Sequence, residues 1–420
     1  MIKKISKNDY ALSVFTKIIT LLVGLLSTSF LTRYLGIANK GEYAFVNQVV
    51  SVAGLILNLG IYQSYTYYYR KEGDVVFGKF VSLSLLQFCV YLVLGMIVSA
   101  LANNLTVTLI CITIPFKVIR SQFDNIMLVQ NVKLRMRSTR LASLLTMLAY
   151  LALLLLLKSS VIPALAVAIA IDIFVVARYF IKEKIGIRIG KVDPCFAKKV
   201  LCFGFLPMLS ALLVTLNYSV DVFFLKRMGT PRDLSLYSAA TGIINHVWLV
   251  PDAFKDILYS RVARNNQKNA IAFSTKFSLL FLIVTTIGFL IFGRLFVRIM
   301  YGNEFMPSYH VTMVLFLGVY SMIFFKVFGI VMIAEGKRVP FFLMLLASVI
   351  LNVVLNCLLI PNYGMYGAAY ASVGSYNLCG ILFLIYFSRT KNIPIKKLLL
   401  IDREDIENIR AFIKNTPKRA

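Results

Sequence analysis

The stretch that decides how this chain is built is Leu31-Thr32-Arg33-Tyr34-Leu35-Gly36-Ile37-Ala38-Asn39-Lys40-Gly41-Glu42-Tyr43. It is a short polar turn between two long apolar runs, so the chain leaves an apolar layer, reverses and re-enters it. A degraded copy of the turn runs from Phe224 to Tyr237, with Gly229 at the position of Gly36. This repeat predicts two similar halves that use one hairpin plan.

Composition indicates an all-α membrane protein. The chain has 420 residues, of which 59% are hydrophobic and 15% charged, and its mean hydropathy is +0.80. Successive apolar runs of about 20 residues are what a bilayer requires, whereas a soluble domain of this length could not cover so much apolar surface. We predict about twelve transmembrane helices, at roughly 11–35, 43–69, 78–102, 105–129, 141–158, 161–181, 200–225, 235–260, 272–293, 309–333, 339–360 and 366–388.

The net charge of +27 could suggest a nucleic-acid partner, but its placement indicates a topological role. Lys and Arg are concentrated in alternate loops and in the C-terminal tail, and basic loops stay in the cytoplasm. We therefore expect no nucleic acid and both termini in the cytoplasm. The turn that contains Lys226, Arg227 and Arg232 is the exception, because it is basic although we predict it on the outer side of the membrane.

The basic connection 182–199 separates the predicted halves. We expect an N-terminal six-helix bundle over 1–185, a C-terminal six-helix bundle over 186–388 and a basic cytoplasmic tail over 389–420. Because each half has an even number of spans, the halves should repeat in parallel. The six cysteines are scattered, so neither a disulfide framework nor a metal site is predicted.

Several short motifs follow one another in a characteristic order along nearly the whole chain. They are Arg33-Tyr34-Leu35-Gly36 with Gly41-Glu42-Tyr43, Gly204-Phe205-Leu206-Pro207, Tyr301-Gly302-Asn303-Glu304-Phe305, Ala334-Glu335-Gly336-Lys337, and Ile360-Pro361-Asn362-Tyr363-Gly364-Met365-Tyr366-Gly367. In this respect the chain resembles the Wzx-type oligosaccharide-lipid flippases of the multidrug/oligosaccharidyl-lipid/polysaccharide (MOP) superfamily.

The resemblance implies two six-helix bundles around a central cavity that opens alternately to each side. It also implies a bacterial inner-membrane flippase that carries undecaprenyl-diphosphate-linked oligosaccharide repeat units to the periplasmic leaflet for O-antigen or capsule synthesis. A polymerase and other polysaccharide-assembly proteins would be its partners. These motifs are largely structural turns, however, and they do not specify the sugar.

The fourth predicted span contains the densest set of charges. Lys117, Arg120 and Asp124 follow the spacing i, i+3 and i+7, so they share one helical face. Charges inside a span are costly and are functional candidates by default. A cavity-lining face that binds the cargo diphosphate is one reading. The alternative is that Arg120 and Asp124 form an i,i+4 pair that extends to the cytoplasmic interface.

Three further basic residues are candidates for the diphosphate. Lys326 lies in the tenth span at a depth similar to that of Lys117. Arg33 is at the outer rim of the first span, where it could instead stabilise the turn. Lys255 is flanked by Asp252 and Asp256, which could simply neutralise it.

No cofactor is predicted beyond a coupled H⁺ or Na⁺. Asp124, Asp172 and Asp221 are the candidate coupling carboxylates, with a structural role as the alternative for Asp172 and Asp221. The chain has no G-x-x-x-x-G-K-[ST] motif, so an intrinsic ATP drive is not expected.

Two other functional classes compete with this reading. The first is another MOP-type transporter, either a peptidoglycan-precursor flippase or a cation-coupled drug exporter. A drug exporter should have a cavity dominated by acidic and aromatic residues. A membrane polymerase or sugar transferase is the remote alternative. We expect no enzyme, because the outward loops are short and no D-x-D motif is present.

Overall fold

The computed structural model describes residues 7–185, 193–248, 251–252 and 268–399. The described chain is helical throughout and has no strand. Its helices are α1 Lys7–Leu57, α2 Ile61–Glu72, α3 Val75–Ala102, α4 Leu105–Gln130, α5 Val132–Leu156, α6 Val161–Lys182, α7 Pro194–Asn217, α8 Val220–Met228, α9 Pro231–Val247, α10 Lys268–Met300, α11 Pro307–Ala334, α12 Arg338–Lys391 and α13 Ile395–Leu399, with a 3₁₀ turn at Asn303–Phe305.

Nine helical segments of the described chain are long and apolar enough to cross a membrane. Two of them, Leu21–Glu72 and Arg338–Lys391, have more than 50 residues each and contain an internal break. The breaks lie at Gly36 (φ 61°) and Gly364 (φ 51°), a backbone conformation that glycine adopts without steric cost.

The chain reverses direction at Gly364. Leu359 lies against Gly367, Leu355 against Gly374, and the Asn352 amide donates to the Ser375 hydroxyl at 2.9 Å. In one continuous helix, positions 352 and 375 would be about 35 Å apart. α12 is therefore a hairpin of two antiparallel arms.

The chain also reverses at Gly36. Leu31, before the break, and Val46, after it, belong to apolar clusters that both include the first turns of α6, at Val161, Ala164 and Leu165. A straight helix would separate positions 31 and 46 by about 22 Å. With two passes in each of these segments, the described helices account for every predicted span except the eighth, 235–260, which lies partly outside the described residues.

Two predicted spans differ in detail from the structure. The second, at 43–69, is interrupted between Leu57 and Ile61, where Leu59 and Gly60 have positive φ. The seventh, at 200–225, is interrupted between Asn217 and Val220. Apolar composition predicts a span but not a local break, because a break is stabilised by side chains of other helices.

The chain divides into two compact units, Met1–Ala239 with Arg298–Phe305, and Ala240–Val297 with Met306–Ala420. The division into bundles at residue 186 stays a prediction. In the first unit, successive turns alternate between two ends. The predicted outer turns meet at one end, where the Tyr34 hydroxyl donates to the Lys158 carbonyl at 2.9 Å and Ser235 donates to the Ile37 carbonyl at 2.7 Å.

The predicted cytoplasmic turns of the first unit meet at the opposite end. The Asn131 amide donates to the Glu183 carboxylate at 2.8 Å, and Ser64 donates to the Val200 carbonyl at 2.8 Å. In the turn with the unexpected positive charge, Lys226 forms an ion pair with Glu42.

In the second unit, α11 packs against both arms of α12. Phe325 contacts Phe341 in the first arm and Phe383 in the second, with ring centroids 6.0 and 5.2 Å apart. Gly380 brings the second arm so close to α11 that an added Cβ would lie 2.0 Å from the Ser321 carbonyl oxygen. α11 and the two arms of α12 therefore form three mutually packed helices.

Candidate functional site

A charged face on α4 forms the centre of the candidate site. The side chain of Asn104 accepts hydrogen bonds from the backbone of Thr106 and Val107 and so defines where α4 begins. From this start the helix presents Lys117, Arg120 and Asp124 on one side. Lys117 is exposed, whereas the side chains of Arg120 and Asp124 are only 12% and 22% accessible.

Asp124 receives hydrogen bonds from two sides. Arg120 Nε donates to its Oδ2 at 2.7 Å, and the Tyr179 hydroxyl donates to its Oδ1 at 2.6 Å. The i,i+4 pair of the alternative reading is therefore formed. Arg120 nevertheless does not extend into solvent, and its buried Nη1 has no hydrogen-bond partner among the described residues. The guanidinium thus keeps donor capacity for a ligand.

Asp172, on α6, belongs to the same cluster. Its carboxylate lies within electrostatic range of Lys117, Arg120 and Asp124. It also acts on Tyr43 and Tyr150, whose hydroxyls are 3.4 Å apart. Four helices of the first unit therefore contribute to one polar network inside an apolar bundle.

The second arm of α1 lies beside the charged face of α4. Glu42 accepts from Thr106, and the Asn58 amide donates to the Ser121 hydroxyl at 2.9 Å. These pairs are offset by 64 and 63 residues, so the two helices run parallel in a constant register. Lys117 packs beside Gly54, where an added Cβ would lie 3.7 Å from the lysine side chain.

The second unit contains a separate cationic position. Lys326 Nζ lies 2.9 Å from Asp252 Oδ1 and 4.5 Å from the centre of the Trp248 ring. The lysine side chain is 11% accessible and the aspartate side chain 37% accessible. Lys326 is thus part-buried against an aromatic face, and its counter-ion is the more accessible member of the pair.

The remaining predicted residues have different environments. Arg33 donates to the carbonyls of Met300 and Ile299, the last residues of α10, in a contact suited to stabilising a helix C-terminus. Asp221 is fully buried and accepts a 2.7 Å hydrogen bond from Tyr237. Lys255 lies outside the described residues.

Three partners in these clusters were missed by sequence reasoning. Tyr179 follows Asp172 by seven residues, a spacing that places both on one helical face and was available as a signal. No comparable signal connects Lys326 with Trp248 and Asp252, because they come together only through the fold. Among the described residues, no group of His, Cys, Asp and Glu could hold a metal ion.

Comparisons with known proteins agree with this architecture. Residues 258–413, somewhat more than a third of the chain, match the family model described as lipid II flippase MurJ. Comparison with curated protein sequences gave no match.

Solved structures resemble the chain over most of its length. A lipid II flippase MurJ in an inward closed conformation has a TM-score of 0.74 and 14% identity, with 98% of this chain and 94% of that chain covered. An inward-facing multidrug resistance MATE family transporter of the MOP superfamily has a TM-score of 0.68 and 12% identity, covering 90% and 95%. A MOP superfamily transporter from Pyrococcus furiosus has a TM-score of 0.56 and 12% identity, covering 90% and 94%.

At these identities the likeness establishes the fold. The chain is an all-helical, multi-pass membrane protein with the fold of the MOP superfamily. The proteins of this fold named here are flippases and transporters rather than enzymes.

Proposed function

We propose that this protein is a flippase that moves a polyprenyl-diphosphate-linked saccharide across the bacterial inner membrane. The observation that carries the proposal is a pair of donors on α4, the exposed Lys117 and the part-buried Arg120, whose Nη1 has no hydrogen-bond partner among the described residues. A lipid-linked diphosphate has an apolar tail that can stay in the bilayer and an anionic head that cannot. Cations along a transporter path suit that head.

Two cargoes share this chemistry. The peptidoglycan precursor is favoured by the family match over residues 258–413 and by the likeness to a lipid II flippase. An undecaprenyl-diphosphate-linked repeat unit for O-antigen or capsule is the second candidate, favoured by the Wzx-type motifs around Gly36 and Gly364. The donors that the α4 face leaves for a ligand, Lys117 and Arg120 Nη1, suit an anion rather than a cationic drug in either case.

The proposed direction of transport is outward, with both termini in the cytoplasm. A diphosphate carries about two negative charges, and a potential of 100 mV favours outward movement by about 2.3 kcal/mol per charge. If the cations move with the head, this drive shrinks and a coupled H⁺ or Na⁺ is required. Asp124 and Asp172 are then the carboxylates best placed to respond, because both already interact with Lys117 or Arg120.

The test is outward flux in proteoliposomes that contain the full chain and one labelled lipid. Parallel arms carry the lipid-linked peptidoglycan precursor, a lipid-linked oligosaccharide repeat unit and a lipophilic cationic dye. We expect flux of a lipid-linked saccharide without ATP, reduced at least tenfold by Lys117→Ala or Arg120→Ala. Lys158→Ala, which changes an exposed lysine at one end of the first unit, is the matched control.

The labelled lipid that the protein transports identifies the cargo. Transport of the dye alone, or full lipid flux in both α4 variants at equal protein levels, would refute the proposal.

A further inference from the structure

Lys40 is a buried lysine to which the proposed mechanism has so far given no role. It lies four residues beyond the break at Gly36, and only 7% of its surface is accessible. Among the described residues it forms no hydrogen bond and no ion pair. Its nearest recorded interaction is with the Tyr43 ring, whose centre is 6.0 Å from Nζ.

Three other basic residues of the first unit have partners that Lys40 lacks. Lys226 pairs with Glu42, Arg120 pairs with Asp124, and Arg33 donates to the carbonyls at the end of α10. A buried lysine without such a partner is costly, and burial of that kind is a mark of a functional position. The environment of Lys40 therefore suggests that a ligand is the partner of its ammonium group.

The position of Lys40 identifies the kind of ligand. Positions 40, 47, 51 and 54 recur at helical spacing, so they share one face of the second arm of α1, and Asn58 follows just beyond the end of that arm. That face meets α4 where Gly54 packs beside Lys117 and where Asn58 donates to Ser121. Lys40 thus lies on the face that borders Lys117, about 21 Å closer to the outer-turn end.

The residues between these two lysines are polar. Asn47 is exposed, Ser51 is partly exposed, and neither offers a competing charge. An anion that leaves Lys117 along this face would meet these neutral groups before the second cation, and Asp172, which acts on both Lys117 and Tyr43, is the carboxylate that borders the route. The separation of the two lysines is a large part of the hydrocarbon thickness of about 30 Å.

We propose that Lys40 is a second anion-binding position, which receives the diphosphate of the cargo near the outer end of the path. This assignment rests on the proposed function, because it takes the lipid-linked diphosphate as the cargo. Lys40 holds the head after Lys117 releases it and before the head enters the outer leaflet. The polar face of α1 between the two lysines is the route that joins them.

The first experiment uses inorganic pyrophosphate as the probe and the full chain in proteoliposomes. An amine-reactive reagent is added from the outer-turn side, and modification of individual lysines is measured by mass spectrometry. We expect pyrophosphate to slow modification of Lys40 about tenfold, as one charge-assisted contact would. Lys158, exposed at the same end, should react at an unchanged rate, and sodium chloride of equal ionic strength should protect neither lysine.

The second experiment measures flux of the lipid-linked saccharide. Lys40→Met should lower the rate about tenfold, whereas Lys40→Arg, which keeps the charge, should retain most of it. The methionine removes a buried charge without leaving a cavity, so loss of folding is not the expected cause. Lys158→Met is the matched control.

The outcomes separate the two proposals. If the wild-type protein moves no lipid-linked saccharide while pyrophosphate still protects Lys40, the cargo assignment fails and the anion site stands. If the wild-type protein is active and Lys40→Met is equally fast, Lys40 has no place on the path. Failure of Lys40 to react in any condition, or equal protection of Lys40 and Lys158, also overturns the inference.

Discussion

The backbone of Gly60 lies directly against the backbone of Gly204. A Cβ added to Gly204 would lie 2.2 Å from the Gly60 carbonyl oxygen, and a Cβ added to Gly60 would lie 2.4 Å from the Gly204 carbonyl. This contact joins the beginning of α2 to α7 inside the first unit. It coincides with the break after Leu57, whose freed carbonyl accepts hydrogen bonds from Gln87 and Tyr91, both at 2.7 Å.

We predict that Gly204→Ala destabilises the protein, because backbone atoms rather than flexible side chains would have to move. Overpacking of this kind costs about 1–3 kcal/mol or more. Gly78→Ala, in α3 with no atom within 4 Å of the added Cβ, is the matched control and should stabilise its helix by about 0.5–1 kcal/mol. Thermal unfolding of the purified variants measures both changes. Equal unfolding temperatures for Gly204→Ala and the wild type would contradict the close contact.

The ion pair between Glu42 and Lys226 joins two predicted outer turns, and we predict that it holds that end of the first unit closed. The two side chains are 28% and 40% accessible, so the pair is worth only about 0.2–1 kcal/mol. Glu42→Gln should therefore raise the labelling rate of a cysteine introduced at the buried Ser235 by up to about fivefold.

A double-mutant comparison controls this prediction. If the pair is the cause, Glu42→Gln combined with Lys226→Met should label no faster than the faster single variant. Additive effects would show that each residue acts through some other contact.

Lys326 and Asp252 should behave as a coupled pair in the second unit. Asp252→Asn leaves a lysine that is 11% accessible without that carboxylate, and removing one partner of a buried pair costs about 3–5 kcal/mol. Because Asp252 is itself 37% accessible, we expect the lower part of that range. Asp252→Asn with Lys326→Met should recover most of the loss in a thermal-unfolding assay. A double variant less stable than Asp252→Asn alone would exclude this coupling.

Glu335 provides a pH-dependent prediction outside the membrane spans. Partial burial favours its neutral form, but hydrogen bonds and charges from Lys391 and Lys337 outweigh this and hold the pKa of the carboxyl below its usual value. A lowered folded-state pKa stabilises the fold above the unfolded pKa, and the stabilisation is lost as the pH falls through the folded pKa.

We therefore expect Glu335→Gln to lower the unfolding temperature at pH 7 and to matter progressively less as the solution is acidified below the usual glutamate pKa of 4.5. Glu304→Gln, at an exposed glutamate, is the matched control. A difference between wild type and Glu335→Gln that stays constant with pH would show that the ion pairs do not contribute.

The sequence by itself determined the spans, the reversals and one charged face. Apolar runs mark the helices because the bilayer satisfies no backbone hydrogen bonds, and the short glycine-containing turns between those runs, at Gly36 and Gly364, mark the reversals because glycine adopts a positive φ without steric cost. The common face of Lys117, Arg120 and Asp124 follows from helical spacing alone. All of these properties depend on residues that are near one another in the chain.

Only the tertiary structure decided which partner each charge has. Arg33 meets the carbonyls of α10 more than 260 residues away, and Lys326 meets Asp252 rather than any neighbour in sequence. The sequence likewise did not show that Lys40 is buried, because its neighbours in the turn are polar. The physical reason is that burial and counter-ions depend on which helices pack together. Spacing along one helix places a side chain on a face but does not say what that face meets.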